Sequence, residues 1–296
     1  MRFITILGAV SLAALSGNAF ASTVYNSDLY NLNTSNGSGT ATTVTDASGT
    51  VTTVAGPGGG ANRVGAPVTT DTWLQRNTGG NASVGITNEL PRSGTGSLIF
   101  TGTSGDSKAD MEYYFSTPVA LADFVSASYD VFRSSLSSNP EAQTIALRFL
   151  VNNTSMSLPA SSTYLIFEPV YNGYPSAPVD QWTSFNVTGD SIFWNNNGVL
   201  ANGSTGIYSS LSSIIAANEG LVITGLSVGI GSGWNGAFKG AVDNVSYNFG
   251  GNNANSFNFE LSSAVPEPAS WAMMIVGFGL IGASLRRAPR ATLSAA

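Results

Sequence analysis

Carboxylates and aromatic rings are what this chain offers for chemistry. It contains neither histidine nor cysteine. That removes Ser-His-Asp hydrolysis, HExxH zinc sites and most first-row transition-metal sites. Carboxylate chemistry, oxygen-ligated calcium or no chemistry at all remain. Paired carboxylates run glycoside hydrolysis. Asp110 and Glu112 share one strand face by a period of two, whereas Glu168, Asp180 and Asp190 are scattered. Two acids on one strand are ordinarily a solvated face, so no catalytic residue is assigned. No G-x-S-x-G occurs. Gly231-Ser232-Gly233-Trp234-Asn235-Gly236 spells G-x-G-x-x-G, but a strand follows where the dinucleotide motif needs a helix, so this is read as a turn.

The aromatic residues give a second chemistry. An exposed ring stacks on the apolar face of a pyranose while neighbouring amides bond its hydroxyls. Trp194-Asn195-Asn196-Asn197-Gly198 and Trp234-Asn235-Gly236 supply that pairing in segments read as loops. Trp194 and Trp234 are therefore candidate glycan-binding residues, Trp234 among its glycines being the one expected to be exposed. The competing reading makes each tryptophan core, because tryptophan buries a large area in β-sandwiches. Trp73, Trp182, Tyr171, Tyr174 and Tyr208 face the same choice.

Both ends of the chain direct it out of the cytoplasm. Met1-Arg2 is a basic start, residues 3–15 are largely apolar, and Ala19-Phe20-Ala21 is a small-x-small cleavage site. Residues 1–21 thus read as a secretory signal peptide, with the export machinery and signal peptidase as partners. At the other end Pro266-Glu267-Pro268 holds an exposed, extended segment. It is followed by an uncharged apolar run from Trp271 to Leu285 and then by Arg286, Arg287 and Arg290. Fifteen helical residues reach roughly 22 Å, against a hydrocarbon core of roughly 30 Å. The run is read as a marginal transmembrane helix over about residues 269–285, N-terminus out and C-terminus in by the positive-inside rule.

Residues 265–290 resemble a PEP-CTERM sorting signal in its PEPxxWAMM form, through Pro266, Glu267, Pro268, Trp271, Ala272, the glycine-studded apolar run, Arg286 and Arg287. The resemblance implies recognition and cleavage by an exosortase. It also implies an exported protein of a polysaccharide-producing Gram-negative bacterium, held at the inner membrane and then passed to the cell surface or beyond.

Between the two ends, residues 22–264 are long enough for one sizeable domain or one and a half. Of the 17 acidic residues only Glu267 lies outside this stretch, leaving 16, and four of the 11 basic residues do, leaving 7, a balance of −9. A nucleic-acid partner needs the opposite footprint. Residues 22–64 read as a first strand, then a Thr/Ser/Gly-rich hairpin around Asp46-Ala47-Ser48-Gly49 or a mobile arm. From residue 65 short strands follow one another with period-two alternation, as at Val125, Ala127, Tyr129 and Val131. One helix interrupts, with Leu211, Ile214 and Ile215 on one face, Ser209 or Ser210 as cap and Gly220 as its end. The fold class is mainly β, an antiparallel sandwich with one short helix.

Pro91-Arg92-Ser93-Gly94-Thr95-Gly96-Ser97-Leu98 and the late Ala241-Val242-Asp243-Asn244-Val245 resemble blocks of jelly-roll carbohydrate-binding modules. That resemblance implies a structural calcium at Asp243, with Asp28 or Glu260 as a second carboxylate. The alternative is an Asp243 that bonds backbone at a strand irregularity. The combined reading is an exported, non-catalytic protein with a structural or adhesive role in extracellular polysaccharide or biofilm. A glycan-binding module, with or without calcium, is the first alternative and a carboxylate-based polysaccharide-degrading enzyme the second.

Overall fold

The computed structural model describes residues 21–29, 41–45, 50–54, 70–154, 162–196, 200, 208–251, 253–262 and 268–286. In chain order the strands are β1 (Ala21–Tyr25), β2 (Ala41–Thr45), β3 (Thr50–Val54), β4 (Trp73–Gly79), β5 (Ser83–Thr87), β6 (Ser97–Gly102), β7 (Lys108–Ala120) and β8 (Ser126–Arg133). They continue with β9 (Ala146–Asn153), β10 (Ser162–Phe167), β11 (Trp182–Val187), β12 (Ile192–Asn195), β13 (Ser209–Ser210), β14 (Leu221–Ile230), β15 (Phe238–Asn248) and β16 (Ala254–Glu260).

Two sheets form the sandwich. In the first, β15 is the hub: it pairs with β8 along one edge and with β6 and then β16 along the other. β11 lies outside β8, β5 outside β6 and β1 outside β16. The second sheet runs β13-β12-β10-β9-β14-β7-β4. All of its pairs are antiparallel. β1 departs from the expected pattern, because it joins β16 in parallel. This strand starts at the expected cleavage site. The hairpin read around residues 46–49 is present as the antiparallel pair β2–β3, its turn falling outside the described residues.

The core between the sheets is aromatic and aliphatic. Met111, Leu147, Phe149, Leu165, Phe167, Phe193, Leu226 and Val228 of the second sheet meet Phe100, Tyr129, Val131, Phe185, Val242, Phe257 and Phe259 of the first. Trp73 is core, edge-on to Phe257 and Phe259 at 5.2 Å from each ring. Burying a side chain of this size contributes roughly 1.5–3 kcal/mol. The one α-helix among the described residues of this unit, α1 (Leu211–Ala217), buries Leu211 and Ile214, and the hydroxyl of Ser210 accepts the Ser213 N–H as its cap. It ends at Asn218, two residues before the expected Gly220.

The alternation predicted one buried face per strand, and the second sheet departs from it. Its outer face is buried as well. Asp110 and Glu112 are 3% and 0% exposed, although two acids on one strand suggested a solvated face. Leu74, Tyr114, Ala146, Leu150, Tyr164 and Ile166 form a second apolar cluster on that face, with Trp194 packed against it.

Residues 262–296 form a separate unit. Its helix, α2 (Pro268–Arg286), extends one residue beyond each end of the expected span. Met273, Ile275, Phe278 and Leu280 on it are exposed. Among the described residues no helix is long and apolar enough to cross a membrane. The signal peptide through Ala19, together with Pro266, Glu267 and Arg287, lies outside the described residues.

Candidate functional site

The outer face of the second sheet is built in rows by strand register. One row runs Leu74–Glu112–Ser227–Arg148–Ile166–Trp194 across β4, β7, β14, β9, β10 and β12. The next runs Arg76–Asp110–Gly229–Ala146. β14 contributes the small residues Ser227 and Gly229 to these rows, between Glu112 and Asp110 of β7 and Arg148 and Ala146 of β9. The Arg148–Asp110 ion pair closes over Gly229. A Cβ at Gly229 would collide with Asp110 Oδ1 and stand 2.5 Å from the Ala109 carbonyl oxygen and 2.8 Å from Arg148 Nη1. Glycine there is required by the neighbouring backbone and by the pair above it.

On this face lies a cavity of about 360 Å³. Trp194, Trp234, Glu168, Lys108, Asn77, Asn196 and Ser232 line it, and the Arg148–Asp110 pair forms part of its wall. Asp110 is held on both oxygens, by Arg148 and by the Asn77 amide at 3.0 Å. Trp194 donates its indole N–H to Glu168 Oε2 at 3.0 Å. Burial raises the Glu168 pKa, while the Trp194 N–H and Arg148 draw it down.

Behind the cavity, Glu112 accepts the hydroxyls of Tyr114 at 2.7 Å and Tyr164 at 2.9 Å and faces Arg76 at 3.4 Å. Its pKa is pushed up to about 7, by complete burial first and by Asp110 second.

The two candidate tryptophans therefore line one cavity, by routes the sequence did not show. Trp194 was read as a loop residue and lies on β12, opposite Ile166. Trp234 was expected to be exposed and is 8% exposed, edge-on to Phe238 at 5.1 Å. The turn around it is held by Gly233 and Gly236 at positive φ. That arrangement turns the ring inward, to the end of the core. Of the scattered acids Glu168 shares the cavity with Asp110. Asp180 instead accepts the Ser135 N–H, and Asp190 is not among the lining residues. Lys108 and Arg148 carried one legible signal. They are charged residues in the off-face register of strands whose other face is core.

Asp243 lies in the first sheet, at the register break of β15. Its Oδ1 accepts the N–H groups of Asn244 at 2.8 Å and Phe259 at 2.9 Å. Its Oδ2 is buried without a partner. Burial, and to a lesser extent Glu260 and Asp130, raise its pKa to about 7. The orphaned oxygen fits a calcium ligand, but the rest of the set does not. Asp28 accepts the Tyr25 N–H. Glu260 accepts from Thr95, Gly96 and Asn258. Calcium takes six to eight oxygens, and no group of three or more acids suited to a metal occurs among the described residues.

With the geometry in place, the chain can be set beside known proteins. Residues 264–288 match the PEP-CTERM protein-sorting motif. The PEP-CTERM motif implies export, processing by an exosortase and a membrane-anchored intermediate. No curated protein matches the chain. The structural neighbours include carbohydrate-binding modules. One is a family 11 carbohydrate-binding module from Clostridium thermocellum, solved with a β-1,3-1,4-mixed-linked tetrasaccharide. It is 10% identical, with a TM-score of 0.36, covering 66% of this chain and 94% of that one. Another is a xylan-binding domain from Paenibacillus barcinonensis, 14% identical, with a TM-score of 0.27, covering 58% and 86%.

Proposed function

We propose that the folded domain is a glycan-binding module, exported and delivered to the cell surface, where it works in a structural or adhesive role within extracellular polysaccharide. The observation that carries this reading is the cavity on the outer face of the second sheet. Two tryptophans from distant parts of the chain, Trp194 and Trp234, line it together with Asn77, Asn196 and Ser232. Indole faces and edges suit the apolar side of a sugar ring, and amides and a hydroxyl suit its hydroxyl groups. In this reading the sorting segment that contains α2 holds the chain at the membrane until it is processed.

The test is binding of the full-length, detergent-solubilised chain to a glycan array. Trp194→Ala should abolish binding to whichever glycan the wild type takes, with the fold retained. Trp194 carries the test because Trp234 also belongs to the core, where truncation costs about 3–5 kcal/mol. An array on which Trp194→Ala binds as the wild type does would refute the reading.

One observation favours a second reading. Glu168 is a carboxyl of raised pKa in the same cavity as Asp110. Hydrolysis would need Asp110 as base or nucleophile, and both its oxygens are engaged. Release of reducing ends from a bound glycan, lost in Glu168→Gln, would establish hydrolysis.

A further inference from the structure

The cations of this acidic domain are nearly all engaged within it. Arg76 pairs with Glu112, Arg92 with Asp130, Arg148 with Asp110 and Lys239 with Glu89. Arg133 donates to the carbonyl and the side chain of Asn139. Lys108 is the exception among residues 70–262. Its ammonium group has neither an ion pair nor a hydrogen bond among the described residues, and it lines the cavity of Trp194 and Trp234. It stands at the first position of β7, on the same face as Asp110 and Glu112.

The other charges of the cavity are internally answered. Asp110 is neutralised by Arg148 and bonded by Asn77. Glu168 is bonded by Trp194 and biased toward its neutral form by burial. Lys108 is therefore the charge that this cavity presents to a ligand, in a chain whose overall balance repels anions. An ammonium has three donors and no acceptor, and its strongest partner is an ionised oxygen.

We propose that the cavity takes an acidic sugar, a uronate, with Lys108 as the partner of its carboxylate and the tryptophans beside its ring. This rests on the glycan-binding reading above and narrows it to one class of ligand.

The experiment compares polygalacturonate and alginate with the same polymers after reduction of their carboxyl groups to alcohols. Binding of the full-length chain in detergent is measured for the wild type, Lys108→Gln, Lys108→Arg and Lys239→Gln. The wild type should bind at least one acidic polymer about tenfold more tightly than its reduced form, the size of one charge-assisted hydrogen bond. Lys108→Gln should lose that margin, Lys108→Arg should keep most of it, and Lys239→Gln, on the ion pair with Glu89, should keep all of it. Equal binding of acidic and reduced polymers, or an undiminished margin in Lys108→Gln, would overturn the acidic-sugar inference and leave the glycan reading standing. Binding to neither form of either polymer overturns the inference, and an empty glycan array in addition overturns the reading beneath it.

Discussion

Replacing Glu112 by Gln should flatten the pH dependence of stability. In the native protein this carboxyl titrates near 7 in place of 4.5. The largest cause is its complete burial, the next is Asp110, and Arg76 and the hydroxyls of Tyr114 and Tyr164 oppose them. A raised carboxyl pKa means that folding favours the protonated group. The contribution is present in full below the unfolded-state value, declines as pH rises through the window between the two values, and is lost above the folded-state value. The gap between the two values amounts to roughly 3 kcal/mol. Glu112 is fully buried, so solvent does not discount it. The assay is chemical denaturation of wild type and Glu112→Gln from about pH 4.5 to about pH 8, the wild type losing roughly 3 kcal/mol more across that range. Gln changes the bonds to Tyr114 and Tyr164, which displaces the whole mutant curve without altering its slope. Parallel curves for the two proteins would refute the reasoning.

Two further outcomes follow from the same geometry. Gly229→Ala should lower stability by about 3 kcal/mol and weaken glycan binding, because its methyl group meets the Ala109 carbonyl and the Arg148–Asp110 pair. Ser227→Ala, two residues away, is the control. Its hydroxyl is buried without a partner, so stability should hold or rise in denaturant titrations. Calcium added to chelated protein should leave the melting temperature unchanged, the carboxylates of Asp28 and Glu260 being engaged by protein donors; a rise of several degrees would reveal calcium ligands around Asp243.

The strands were legible because their apolar residues recur with a period of two, and α1 because Leu211 and Ile214 recur at helical spacing. Tyr129, Val131, Phe149 and Val245 are core for that reason alone. The sorting segment was legible because its chemistry is local: proline geometry, an apolar run and arginines act in sequence order. Both candidate tryptophans were also found in the sequence, through their asparagine neighbours.

What the sequence could not supply is register and layering. Trp194 lies on a short strand, β12, whose four residues carry too little pattern to separate it from a loop. Whether Asp110 and Glu112 face water depends on the outer face of their sheet, and no property of one strand reports that. The union of Lys108, Glu168, Trp194 and Trp234 around one cavity joins residues over a hundred positions apart. It depends on β14 lying between β7 and β9 with its small residues turned outward. Composition and periodicity are local quantities and determine which residues pair with a sheet or a membrane. Cross-strand register is set by the packing of the whole sandwich, and so only the tertiary structure decides which charges are neutralised and which, at Lys108, is left for a ligand.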